Sequence, residues 1–294
     1  MRYVPEDVLQ NRLNRRILIN RLIQGLFLSS TLFGLVILGI LLYRVAVDSI
    51  GWLDVDFLTN KLSTDPERAG IKGAILGTVW LMFVVGPVTL VLGVATAIYL
   101  EEYATKGRWQ AFIQTNISNL AGVPSIVFGL LGLTVFVRTL GLGNSILAGG
   151  LTLSLLVLPI VVVASQEALR SVPQYLREAS LAMGATKWQT VKNVVLPAAL
   201  PGILTGVILA LSRAIGETAP LVAIGIPALL IPIPEGLFDK FTALPMQIYY
   251  WTIDSVLVEE YAYLAAASII VLLLILFVMN SIAIFIRNKY QKRY

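Results

Sequence analysis

An all-α membrane protein with six transmembrane helices is the fold class that this sequence predicts, on three observations. Of its 294 residues, 57% are hydrophobic and 13% are charged, where a soluble domain carries roughly 25% charged residues. The mean hydropathy is +0.82. Uncharged runs of about 20 residues, the length an α-helix needs to cross a bilayer, recur along the chain between short polar stretches.

The first span is 22–43. The polar lead MRYVPEDVLQNRLNRR and the long apolar run after it fit a retained span better than a cleaved signal peptide. The second lies within 73–100, where Gly86 and Pro87 predict a kink or local break. The third and fourth, 118–137 and 145–166, are separated by RTLGLGN, whose glycines suit a tight turn. The fifth runs from near Pro201 to about Ile231, and the sixth covers 261–286. The chain thus divides into a tail 1–21, a transmembrane region 22–286 containing a polar loop at 167–200, and a tail 287–294.

Basic flanks orient such spans. They concentrate in 1–21, at Lys106 and Arg108, in 167–200 and in 287–294. The other side holds Arg44, Lys61, Arg68, Lys72, Arg138 and Lys240, and its two longer loops carry ten acidic residues. Both termini are therefore expected in the cytoplasm. A basic balance distributed this way belongs to membrane flanks and excludes nucleic acid as a partner.

The chain has no His and no Cys, which removes thiolate chemistry, the commonest metal ligand and the usual proton shuttle. It also lacks the glycine-rich phosphate loop G-x-x-x-x-G-K-[ST]. No cofactor and no enzymatic activity are expected, and any coupling to ATP must come from a partner.

The polar segment SVPQYLREASLAMGATKWQTVKNVVLPAALPG, 171–202, predicts helix, glycine turn, helix. Ser171 with Gln174 and Thr186 with Gln189 have capping-box spacing. Pro173 fits a first turn, Gly184 a left-handed helix end, and Pro197 a stop before the fifth span. Tyr175, Leu176, Ala179 and Met183 recur on one face, which suits either a groove on a partner or the lipid headgroups.

Glu178-Ala179-Ser180, three residues, Gly184, nine residues and then Val194-Val195-Leu196-Pro197 resemble the EAA loop of ABC importer permeases, E-A-A, three residues, G, nine residues, I-x-L-P. Ser180 stands for the second alanine and Val194 for the isoleucine. The resemblance implies the type I ABC importer permease fold. It also implies that Glu178, Ala179, Ser180, Gly184, Leu196 and Pro197 form the element that meets a cytoplasmic ATPase subunit.

In the fifth span SRAIGETAPL, 212–221, places Arg213 and Glu217 four residues apart in an apolar run. Each charge costs about 2.5–3.5 kcal/mol on insertion scales, so the pair must be paired or wet. At 1.5 Å per residue Arg213 lies about 18 Å from Pro201, near mid-bilayer. The planar guanidinium fork matches a tetrahedral oxyanion, and Glu217 tempers the charge so that the anion is released. Either a substrate path or a latch to a neighbouring helix or subunit accounts for such a pair. Gly216 and Pro220 permit a bend. Pro124 and Ser125 in GVPSIVFG mark a helix start, where free N–H groups attract an anion or where glycines simply pack helices.

SRAIGETAPL, GVPSIVFGLLG at 122–132 and FTALPMQIYYW at 241–251 are together similar to the A-type permease subunits of bacterial phosphate-specific ABC importers. The resemblance implies a multi-pass protein of the bacterial inner membrane, with Arg213 and Glu217 on the phosphate path; Thr218, next to Glu217, and Ser125, at its helix start, are further candidates for that path. It further implies four kinds of partner: a homologous C-type permease subunit, two cytoplasmic ATPase subunits, a periplasmic phosphate-binding protein and membrane lipid. The alternative is an ion-coupled secondary transporter of an oxyanion. The segment 232–260, with Pro232, Pro234, Pro245, Tyr249, Tyr250 and Trp251, suits a docking surface or an anchoring loop. Glu101 and Glu102 are expected as a solvated helix end.

Overall fold

Long uncharged runs in a bilayer have no water to satisfy their backbone, so an unclosed chain can only coil them into helices. The computed structural model describes residues 6–105, 107–227 and 233–290 and is almost wholly helical. In chain order the helices are α1 (Glu6–Asp48), α2 (Val55–Thr59), α3 (Lys72–Ile98), α4 (Arg108–Leu120), α5 (Ser125–Gly132), α6 (Ile146–Arg170), α7 (Gln174–Ala182), α8 (Lys187–Thr190), α9 (Leu196–Ile215), α10 (Ala219–Ile224), α11 (Leu244–Asp254) and α12 (Glu260–Tyr290). Wider π-helical turns, Tyr99–Tyr103 and Leu133–Thr139, extend α3 and α5, and a third, Val191–Val195, joins α8 to α9 without a break.

Five of these helices are long and apolar enough to cross a membrane, and α4 with α5 makes a sixth if the bent pair is one span. The third span expected at 118–137 is not one straight helix. Its axis turns by 103° between Leu120 and Ser125. Pro124 accounts for the break: its ring would strike the carbonyl four residues earlier, at Leu120, and it drives Val123 out of the helical region. The fifth span also departs from expectation. It starts at Lys187 and stops at Ile215, because Pro220 excludes a helical carbonyl at Gly216 in the same way. Residues 228–232, with the expected far end of that span and Pro232, lie outside the described residues, as do 1–5, Lys106 and 291–294.

Pro197 does not stop a helix. Leu196 N–H reaches Val191 O in the π turn just ahead of it, and that wider turn lets the proline sit in the first turn of α9 within one continuous helix. α3 likewise runs unbroken through Pro87.

α6 is the centre of the bundle, flanked by α3 and α9. Small residues bring these axes together, the usual way helices associate where lipid removes the hydrophobic drive. A Cβ on Gly93 would lie 2.6 Å from Val161 Cγ1, one on Gly150 2.6 Å from Val84 Cγ1, and one on Gly202 2.8 Å from Ala168 Cβ. The segment 232–260 is more than a loop. Its helix α11 buries Leu244, Pro245, Met246, Gln247 and Trp251, and Thr78 Oγ1 of α3 accepts from Leu244 N–H at 2.9 Å. Burial pushes the Tyr250 phenol above its usual range, so it stays a donor to Ile226 O, at 3.2 Å. In contrast, α1 exposes its large apolar side chains from Leu22 to Val47 and packs mainly on α12.

Gly150→Leu should destabilise the detergent-solubilised chain by about 1–3 kcal/mol, the usual cost of overpacking. Gly39, with nothing near its Cβ position, should tolerate Leu or gain up to about 1 kcal/mol from helix propensity. Thermal unfolding of the two variants side by side checks both values.

Candidate functional site

Arg213 sits in the last turn of α9, and Gly216 caps that helix. Glu217 falls in the gap before α10. The two charges are therefore not neighbours on the face of one continuous helix; they meet across a helix end. Arg213 Nε donates to Glu217 Oε1 at 3.2 Å. Their side chains are 51% and 17% exposed, so the guanidinium stands out from the bundle while the carboxylate is tucked in. Among the described residues the two terminal amino groups of Arg213 have no acceptor, which leaves four N–H donors of the planar fork unused.

The gap itself is ordered. Gly216 N–H bonds Arg213 O at 3.2 Å and Glu217 N–H bonds Ala214 O at 3.3 Å. Thr218 is the cap residue of α10, half-buried, with no capping bond from its side chain. Across from it α5 packs on α10, where a Cβ on Gly129 would lie 2.7 Å from Pro220 Cα. Ser125 opens α5 as expected and is half-buried. It makes no hydrogen bond to Arg213 or Glu217 among the described residues. The structure thus joins Arg213, Glu217 and Thr218 at one break and connects Ser125 to them only through the α5–α10 packing.

Sequence reasoning missed Asn280. Its Oδ1 lies 2.7 Å from Ser212 Oγ, next to Arg213, while Ser212 Oγ also lies 2.8 Å from Ile208 O. One hydroxyl proton cannot serve two acceptors, so the Asn280 amide is better turned to donate its N–H to Ser212 Oγ. Seven residues away on each helix, Arg287 Nη1 donates to Thr205 Oγ1 at 3.4 Å. The two rungs fix the antiparallel register of α9 on α12. A lone asparagine within the apolar run of α12 was the available signal.

At the far end of α9 the helix pair has the expected form. Gly184 has φ +82°. Ala185 N–H to Ser180 O at 3.3 Å and Gly184 N–H to Leu181 O at 2.9 Å complete a Schellman cap on α7. Thr186 and Gln189 form both halves of a capping box. Ser171 does not cap α7: it ends α6, and its hydroxyl donates back to Ala168 O. Pro173 is the residue just ahead of α7, with no side-chain cap bond. Ser180 Oγ lies 2.9 Å from Thr190 Oγ1 and ties α7 to α8, a contact that an alanine could not make. Tyr175, Glu178, Ala179, Met183 and Trp188 are exposed, whereas Leu196 and Pro197 are half-buried in the continuous helix. Glu101 and Glu102 are not a solvated end; both are sheltered in ion pairs.

Apolar helices around small-residue contacts, a charged pair at a break in one of them and an exposed helix pair at that helix's other end describe a membrane-embedded helical bundle, and comparison with known proteins places it among the type I ABC importer permeases. Residues 89–289 match the family described as binding-protein-dependent transport system inner membrane component. The chain belongs to that family and is a multi-pass membrane protein. It is 37% identical over 210 residues to the probable ABC transporter permease protein YqgI of Bacillus subtilis, covering 71% of each chain. It is 44% identical over 161 residues to the phosphate transport system permease protein PstA 1 of Mycobacterium tuberculosis, covering 54% of this chain and 53% of that one. Against PstA of Haemophilus influenzae the identity is 35% over 241 residues, 80% of this chain and 77% of that one. Among solved structures, a chain of a bacterial alginate ABC transporter in complex with a pentasaccharide-bound periplasmic protein has the same fold, with TM-score 0.63, 16% identity and 92% and 96% coverage. A chain of the MetNI methionine ABC transporter gives TM-score 0.60 at 20% identity, covering 76% and 96%.

Replacing Ser180 by Ala and Thr190 by Ala, singly and together, should give a coupling energy of about 0.5–1.5 kcal/mol in a double-mutant cycle. Thermal unfolding reads it, and strict additivity would contradict the bond.

Proposed function

We propose that this chain is a permease subunit of an ATP-driven importer of inorganic phosphate in a bacterial plasma membrane, and that it forms the path together with a homologous permease subunit. The observation that carries this reading is the Arg213 fork. Glu217 holds its Nε, and its terminal amino groups are left for an oxyanion. A bidentate, charge-assisted contact of that kind recognises phosphate. The neighbouring carboxylate keeps the contact weak enough to release it. The relatives named for phosphate transport support the choice of cargo. Thr218 lines the same break, and Ser125 contributes from α5.

At the other end Glu178, Ala179, Ser180 and Gly184 form the surface that meets an ATPase subunit, with Leu196 and Pro197 carrying its movement into α9. Two ATPase subunits and a periplasmic phosphate-binding protein complete the assembly. The basic flanks support placing α7, α8 and both termini in the cytoplasm, with 1–21 and 287–294 as tails of a transmembrane region 22–286.

Reconstituted into vesicles with its partners, the chain should take up phosphate only when ATP is supplied. Uptake by the isolated chain on an ion gradient would favour a secondary transporter instead. Arg213→Gln should lower phosphate uptake by about ten- to a hundredfold, the weight of one charge-assisted contact. The complex should still assemble and hydrolyse ATP; loss of assembly would identify the pair as a latch.

Gly184→Val places a β-branched residue in left-handed backbone at a cost of about 1–2 kcal/mol, and it should uncouple uptake from hydrolysis while leaving the protein inserted. Gly184→Asn, which tolerates that backbone, should stay coupled. Both are read as phosphate imported per ATP hydrolysed.

A further inference from the structure

α3 ends in three consecutive residues that each hold a basic residue from a different element. Glu101 receives Arg170, at the end of α6, through Nε to Oε2 at 2.9 Å and Nη2 to Oε1 at 2.6 Å. It also accepts from the buried Gln166 at 3.0 Å. Glu102 receives Arg177 of α7 through Nε at 3.1 Å and Nη2 at 2.9 Å. The Tyr103 ring centre lies 5.1 Å from Nζ of Lys187, the first residue of α8. The helix end fans these side chains around its axis, so a single terminus reaches three elements.

Arg177 is the most constrained of the set. Besides Glu102 it donates to Leu169 O, in the last turn of α6, at 2.8 Å and to Val172 O, just beyond that helix, at 2.7 Å. Its side chain is 15% exposed and that of Glu102 is 10% exposed. An exposed pair contributes little because water competes and both side chains must be immobilised. A sheltered pair with all three guanidinium nitrogens engaged is different, since opening it strands a charge on each side.

The placement matters because α7 already reaches α9 through the backbone of α8, whereas its link to the end of α3 rests on these side chains. We propose that Glu102 and Arg177, supported by Glu101 and Arg170, are positioning residues that make the end of α3 and α7 move as one body. Displacement of α7 is then delivered to two spans, α3 as well as α9. This rests on the reading of α7 as the ATPase contact.

The chain has no cysteine, so a thiol pair can be introduced without further changes. In a Glu102→Cys, Arg177→Cys double variant with both thiols reduced, the full complex should assemble and hydrolyse ATP, but phosphate imported per ATP should fall at least about tenfold. A short bis-methanethiosulfonate linker, whose reach exceeds that of a disulfide, should restore the ratio to within about twofold by joining the same two points. An unchanged ratio in the reduced form, loss of assembly, or failure of the linker to restore coupling would overturn the proposal.

Hydrogen exchange in the isolated chain gives a reading that does not depend on cargo. Protection at 99–104 should fall at least about tenfold in the reduced variant and return on cross-linking; unchanged protection likewise overturns the clamp. If the unmodified complex imports no phosphate, the reading of the cargo fails, while the exchange measurement still decides the clamp.

Discussion

In hydrocarbon there is no water to accept or donate a hydrogen bond, so every stretch of chain at membrane depth must close its backbone within itself or against protein. That constraint accounts for most of this architecture. It forces the helices, and it also determines where departures from a regular helix can be tolerated. Each of two breaks carries a proline whose ring conflicts with a helical carbonyl four residues earlier, Pro124 with Leu120 at the end of α4 and Pro220 with Gly216, the cap of α9. The segments they set free pack on each other, α5 against α10. The helices beyond the breaks thus cover each other, while Gly122, Pro124 and Gly216 at the breaks themselves stay exposed, and one break coincides with the charged pair.

One continuous helix, Lys187–Ile215, connects the two functional ends. It starts beside the Schellman-capped helix pair and ends at Arg213, with α12 holding its register through the Ser212–Asn280 and Thr205–Arg287 rungs. Its π turn absorbs Pro197 and keeps the helix unbroken where a stop was expected. On the proposed reading of α7 and α8 as the ATPase contact, this helix links that contact to the guanidinium directly. The ion pairs at the end of α3 would add a second link to the same proposed contact. The central helix α6, closely packed by glycine contacts on both sides, is the frame against which both would move.

Much of the site was legible in the chain itself. Arg213 and Glu217 stand out because charge in an apolar run is costly, and the helix pair is readable because Gly184, Thr186 and Gln189 carry local backbone chemistry that needs no distant partner. Asn280 gave the same kind of signal more faintly. Glu101, Glu102, Arg170 and Arg177 gave none. Each is an ordinary charge at a polar helix end, and the residues that shelter them lie 69 and 75 positions apart in the chain.

The sequence by itself determined that the protein is a helical membrane bundle, roughly which runs cross it, and that one of them carries a charged pair. These follow from composition, length and local backbone preference. Only the tertiary structure decided which prolines interrupt a helix. Pro87 and Pro197 lie inside continuous helices, whereas Pro124 and Pro220 end them. A wider π turn just ahead of Pro197 accommodates that proline, whereas α3 passes Pro87 in regular α-helix. Packing likewise decided that the charged pair spans a helix end and that two glutamates are sheltered in ion pairs, because these outcomes depend on which distant surface arrives.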